Sequence, residues 1–174
     1  MSPPTNTGAS PSPTDAELSQ AATRVAEAVQ SRGWMLATAE SCTGGWIAKC
    51  CTDLVGSSAW FERGFVAYSN AAKQQLLGVP EGTMSRHGAV SEGVAAAMAA
   101  GAAERAGVQV ALSVTGIAGP GGGSADKPVG TVHFGWSLDG EVRTGVQCFE
   151  GDRETVRRQT VLHAFNGLLD ALGG

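Results

Sequence analysis

Charge is scarce in this 174-residue chain: Asp, Glu, Lys and Arg make up 16% of it and sum to a net −4. They form no basic stripe, which excludes nucleic acid as an expected partner. The four cysteines (Cys42, Cys50, Cys51, Cys148) make no CxxC pair and no metal-ligand spacing. They read as reduced thiols of a cytoplasmic protein, with no metal implied. No apolar run reaches the ~18 residues of a membrane span. The N-terminus lacks the charged and apolar regions of a secretory signal. The expectation is a protein with neither a membrane partner nor an export signal.

The usual nucleotide signatures are also missing. A phosphate-binding P-loop needs Gly-Lys followed by Ser or Thr, whereas Lys127 lies between Asp126 and Pro128. The dinucleotide fingerprint fails because Ser124 stands where its third glycine belongs. Ser41 is not in a G-x-S-x-G elbow, since Ala39 and Thr43 replace the glycines. No internal repeat is visible.

What remains is an apolar, glycine-rich chain of one domain's length, with 43% hydrophobic residues and 25 glycines. Residues 1–13, rich in Pro, Ser and Thr, predict a disordered tail. Thr14-Asp15-Ala16-Glu17 is a capping box, and Leu18, Ala21, Ala22, Val25 and Val29 continue at helical spacing. Trp34–Ala37 predicts a buried strand, and Trp46 begins a helix. Trp60–Ala67 reads as a strand with Phe61, Phe65 and Ala67 on one face. Asn70 is placed to cap a short helix, Ala71–Leu77, with Lys73 in its first turn. A loop spans His87–Val90. An alanine-rich helix from Ser91 to Ala106, suited to close packing, leads into a buried strand, Val108–Val114. Asp139-Gly140 predicts a hairpin of Val129–Ser137 with Glu141–Phe149, and a last helix opens near Asp152. The order predicts a three-layer α/β/α single domain over residues 14–174 with a mixed β-sheet.

Two loops carry the candidate chemistry. Thr38–Gly45 runs from strand to helix and presents hydroxyls beside backbone N–H groups suited to an anion or oxyanion; as a plain turn it would use Thr43 as an N-cap. Ser41 and Cys42 are rival nucleophiles there. The bases in reach are His87 and Lys73, with Tyr68 near Lys73; His133 in mid-strand and His163 in mid-helix read as structural. A lysine in a helix's first turn has its charge disfavoured, as a general base requires. The second loop, Thr115–Ser124, is glycine-rich and could wrap an anion with its N–H groups.

The segments Ala39–Gly45, Gly56–Phe61, Gly64–Asn70, His87–Glu92, Thr115–Pro120 and Lys127–Val132 together resemble the CinA C-terminal domain family. The resemblance runs from about Ala16 to the end of the chain. It implies the stand-alone form of a nicotinamide-nucleotide amidase, which hydrolyses the mononucleotide's carboxamide without a cofactor. It matches Ser41 to the nucleophile and Lys73 to its assistant, with Tyr68 beside them. It also places Thr43, Thr115 and Arg157 around the substrate. The N–H groups near Gly44 and Gly45 are candidates to hold the oxyanion, and those of Gly116, Gly119, Gly121 and Gly122 to hold the phosphate. Arg153 and Arg158 are alternatives to Arg157. Glu40 is expected either beside the pyridinium or in a structural salt bridge. A small-molecule nucleotide is the expected partner, with a homodimer as the expected assembly. The rival reading is a non-catalytic nucleotide-binding module that kept the pocket.

Overall fold

The computed structural model describes residues 11–173. The tail predicted over 1–13 therefore lies outside the described residues as far as residue 10. Pro13, at its end, is buried, and its carbonyl accepts a hydrogen bond from Arg158.

Thr14 opens helix α1 (Asp15–Gln30) with both halves of the capping box formed. The chain continues through β1 (Leu36–Glu40), α2 (Trp46–Thr52), β2 (Phe61–Val66), α3 (Asn70–Leu77), α4 (Glu81–His87) and α5 (Glu92–Ala106). The meander β3 (Val110–Gly116), β4 (Thr131–Leu138) and β5 (Glu141–Cys148) follows, and α6 (Arg153–Ala171) completes the domain. Helix α4 was not foreseen, and it carries His87 at its end rather than in a loop. Strand β1 runs three residues beyond the apolar stretch that predicted it. Thr38 and Glu40 are polar yet fully buried.

The five strands lie in the order β2-β1-β3-β4-β5. β1 pairs in parallel with β2 and β3, and β3, β4 and β5 pair antiparallel. The mixed sheet is the predicted one. Helices α1, α2 and α6 cover one face over Leu36, Leu112, Val114 and Phe134. Helices α3, α4 and α5 cover the other over Ala37, Ala39 and Ala111. The alanines of α5 bring its backbone against the sheet: Gly135 of β4 leaves no room for a Cβ beneath the Ala95 carbonyl.

One facial assignment fails. The register shifts between Leu36 and Ala37, which pair with Phe61 and Arg63. This irregularity puts an extra residue into β2 and reverses the alternation. Phe61 therefore packs into the first core and Phe65 into the second.

Candidate active site

The three parallel strands end side by side where the strand order reverses, the usual place for a ligand in an α/β sheet. Ser41 follows β1, Ala67–Ser69 follows β2, and the glycine loop follows β3. The Ser41 N–H continues the ladder by donating to the Val114 carbonyl at 3.1 Å.

Ser69, not the predicted Asn70, is the N-cap of α3; its hydroxyl accepts from the Ala72 N–H. This places Lys73 one turn into the helix, only 2% exposed. Its Nζ lies 3.1 Å from Ser41 Oγ, 3.2 Å from the Ala67 carbonyl and 3.5 Å from the Tyr68 carbonyl. Among the described residues no carboxylate pairs with it. Burial lowers its pKa from the ordinary lysine value.

Cys42 is buried in the first core. Burial and then the Glu40 charge push its thiol up to about 12. A thiol held so firmly in its protonated form is a poor nucleophile. This raised pKa weighs against Cys42 as the nucleophile.

Glu40 is fully buried and, among the described residues, makes no salt bridge. Its carboxylate accepts from Thr43 Oγ1 at 2.7 Å, Ile47 N at 2.8 Å and Ala48 N at 3.0 Å. Burial pushes its carboxyl pKa up, while the Thr43 hydroxyl and the N–H groups of Ala48, Ile47 and Gly45 draw it down. Gly45, in the left-handed region at φ 101°, is the N-cap of α2 and has no side chain to offer. Glu40 does that work from five residues upstream. Among the described residues the salt bridge expected for Glu40 is not formed, and Thr43 is not the N-cap.

Several residues expected around the substrate are instead committed to the walls. The Thr43 hydroxyl is held by Glu40 and the Gly44 N–H by the Ser41 carbonyl. Among the described residues, the N–H groups of Cys42 and Thr43 donate to no carbonyl or carboxylate. Thr115 is buried and its hydroxyl donates to the Ala89 carbonyl at 2.8 Å. Gly116 sits where a Cβ would strike the Thr131 carbonyl and the Val132 side chain. Arg157 spans the serine loop, donating to the carbonyls of Cys42 at 3.1 Å and Thr43 at 3.0 Å. Its guanidinium lies 5.2 Å from the centre of the Trp46 ring.

Tyr68 reaches Lys73 through its carbonyl, not its phenol. The phenol is exposed and lies 3.1 Å from Arg153, whose other nitrogen donates to the Gly119 carbonyl at 2.7 Å. Arg158 is occupied by Asp15 and Glu154. Of the three arginines, Arg153 is the one standing at the mouth of the corner. In the glycine loop, Gly121 and Gly122 are exposed, with open space where a Cβ on Gly121 would lie.

A three-layer mixed α/β domain with a hydroxyl and a desolvated amine in contact at its switch point is built for acyl-group chemistry. The chain belongs to the family of the CinA C-terminal domain, whose model matches residues 18–172. It is 55% identical over 156 residues to the nicotinamide-nucleotide amidohydrolase PncC of Escherichia coli K12, spanning 89% of this chain and 94% of that protein. A PncC of Pseudomonas putida is 51% identical over 148 residues, 85% and 92% of the two chains. The crystal structure of the competence/damage-inducible protein CihA from Agrobacterium tumefaciens superposes with a TM-score of 0.86 at 44% identity. The match covers 95% of this chain and 99% of that one.

Proposed function

We propose that this protein hydrolyses the carboxamide of nicotinamide mononucleotide, releasing ammonia and nicotinic acid mononucleotide. The observation that carries the reading is the 3.1 Å contact between Lys73 Nζ and Ser41 Oγ. It stands in a chain 55% identical to an amidohydrolase of that substrate.

A neutral amine has two N–H bonds and one lone pair. The carbonyls of Ala67 and Tyr68 accept the two N–H groups, which turns the lone pair towards Ser41. Lys73 takes the Ser41 proton as Oγ attacks the carboxamide carbon. The resulting oxyanion is met by the N–H groups of Cys42 and Thr43, the donors left unpaired in the serine loop. Lys73 then gives the proton to the departing nitrogen, the C–N bond breaks, and ammonia leaves. Water attacks the acyl ester with Lys73 again as base, which restores Ser41. Glu40 and Arg157 hold the loop's shape from its N–H side and its C=O side. Arg153 and the open N–H groups of the glycine loop face the nucleotide's phosphate.

The four free cysteines suit a reducing compartment, and we place the enzyme in the cytoplasm. The test is ammonia release from nicotinamide mononucleotide by purified protein. Tight binding of the nucleotide without release would favour the non-catalytic module instead.

A further inference from the structure

A cavity of about 720 Å³ contains neither Ser41 nor Lys73. It opens on the α5 side of the sheet and is lined by Arg86, His87, Ser91, Glu92, Lys127 and His133 among others. Two segments that the amidase chemistry leaves unused, His87–Glu92 and Lys127–His133, meet here. Lys127 ties them together by donating to the His87 carbonyl.

The cavity stands apart from the serine site. Ser41, Thr115 and His133 follow one another across β1, β3 and β4 on the same face, so His133 lies two strand spacings, about 10 Å, from Ser41. Between them Thr115 is covered by Ala89 and bonded to its carbonyl. The cavity's lining includes none of Ser41, Tyr68, Lys73, Arg153 and Arg157.

The lining is basic and holds several unused donors. Neither Arg86 nor Lys127 forms an ion pair among the described residues. Among the described residues, the N–H groups of Glu92 and Gly93, in the first turn of the 15-residue α5, donate to no acceptor, since the Ser91 cap takes the Val94 N–H. His133 Nδ1 is buried and, among the described residues, has no hydrogen-bond partner. Burial, and then the Lys127 charge, lower the His133 pKa, so the ring enters as a neutral hydrogen-bonding group. The one acid, Glu92, is occupied at its carboxylate by Thr144 Oγ1 at 2.7 Å. Two cations, two N–H groups and a hydrogen-bonding ring match a phosphate dianion, and the volume falls within the range of sites for small metabolites.

We propose that this cavity is a second ligand site, for a phosphate monoester of nucleotide size, separate from the carboxamide site. Its occupancy is independent of the substrate's.

The test measures binding of inorganic phosphate and of adenosine 5′-monophosphate by calorimetry, in the parent protein and in Arg86→Ala and Lys127→Met. Each substitution is expected to weaken both anions by at least ~10-fold, as loss of a charged contact does. Arg86→Ala, which touches no residue of the serine site, is expected to leave KM and kcat for the mononucleotide unchanged. Two results would overturn the proposal: no anion binding by the parent, or equal binding by the parent and by Arg86→Ala, the variant that breaks no internal hydrogen bond. Strict competition between phosphate and the mononucleotide, with KM raised in Arg86→Ala, would also refute it by making the cavity part of the substrate site.

Discussion

Lys73 Nζ meets Ser41 Oγ at 3.1 Å across 32 residues of chain, and the contact exists because β1 and β2 are parallel neighbours. The serine leaves the end of one strand, and the lysine's helix starts just beyond the end of the other. Their pairing depends on the sheet's topology and not on local sequence.

Ser41→Ala should therefore lower turnover of the mononucleotide by at least ~100-fold, the usual consequence of losing an activated nucleophile. Cys42→Ser should retain most of the activity, because the thiol is buried and held protonated. It should instead cost about 1–3 kcal/mol of stability by putting a hydroxyl into the first core. Ammonia release and thermal melts on both variants check this. An active Ser41→Ala with a dead Cys42→Ser would reverse the assignment.

Lys73 predicts two pH effects with one cause. Its folded pKa is lowered by burial, so the base form, and with it kcat/KM, should rise with pH through a value below the free-lysine figure of about 10.4. Lys73→Arg should be inactive, since a guanidinium keeps its proton. The same shift acts on stability. Below the unfolded pKa the unfolded lysine holds more protons than the folded one, so stability rises with pH. The contribution is complete above about 10.4 and is lost as pH falls through the folded pKa. Cys42 and Cys50 act oppositely at high pH, because their thiols stay protonated in the fold. The Lys73 contribution is therefore read as the difference between urea midpoints of the parent and Lys73→Met. A pH-independent difference would mean that the lysine is charged in the fold.

Glu40→Gln should damage the enzyme without touching substrate. The change turns one acceptor oxygen into a donor facing the Thr43 hydroxyl or the α2 N–H groups. The cost should be about 2–4 kcal/mol, as for a buried charged hydrogen-bond cluster left partly unmatched. The serine loop should loosen, lowering kcat more than it changes KM. Hydrogen exchange at Ile47 and Ala48 should quicken. Unchanged exchange there would show that Glu40 does not cap α2.

The layers, the mixed sheet and most of the helices were legible because their apolar spacing is regular, and their caps at Thr14, Ser91 and Asp152 are local. The end of β1 was not, because Thr38 and Glu40 are polar residues buried by neighbours from distant parts of the chain. The irregularity in β2 leaves no mark in composition, so Phe61 and Phe65 were placed on one face. Ser41 and Lys73 could each be singled out from their local surroundings, but the 3.1 Å contact between them could not, because it is made across two strands. Glu40 escaped notice as a cap because it acts five residues ahead of the helix it serves. An acid without a basic neighbour, between a strand and Gly44-Gly45, was the available signal. Tyr68 meets Lys73 through its carbonyl, a contact that no sequence pattern reports.

The glycine loop gives the last prediction. Gly121 has open space around it and an unstrained backbone, whereas Gly122 is in the left-handed region at φ 89°. Gly121→Val should therefore leave the melting temperature unchanged, while Gly122→Val should lower it through strain as well. If the loop's N–H groups hold the nucleotide's phosphate, a valine at 121 crowds the anion's approach without disturbing the fold. KM for the mononucleotide should then rise more than kcat falls. The phosphate-free nucleoside, a poorer substrate, should lose nothing, because the contact in question is absent from it. The measurement is the ratio of kcat/KM, Gly121→Val against parent, for each of the two substrates. Equal losses on both would assign the loop to the chemistry at the carboxamide. No loss on either would leave Arg153, at the mouth of the corner beside Tyr68 and Gly119, as the phosphate's anchor. Arg153→Ala should in that case reproduce the substrate-selective rise in KM that the valine did not.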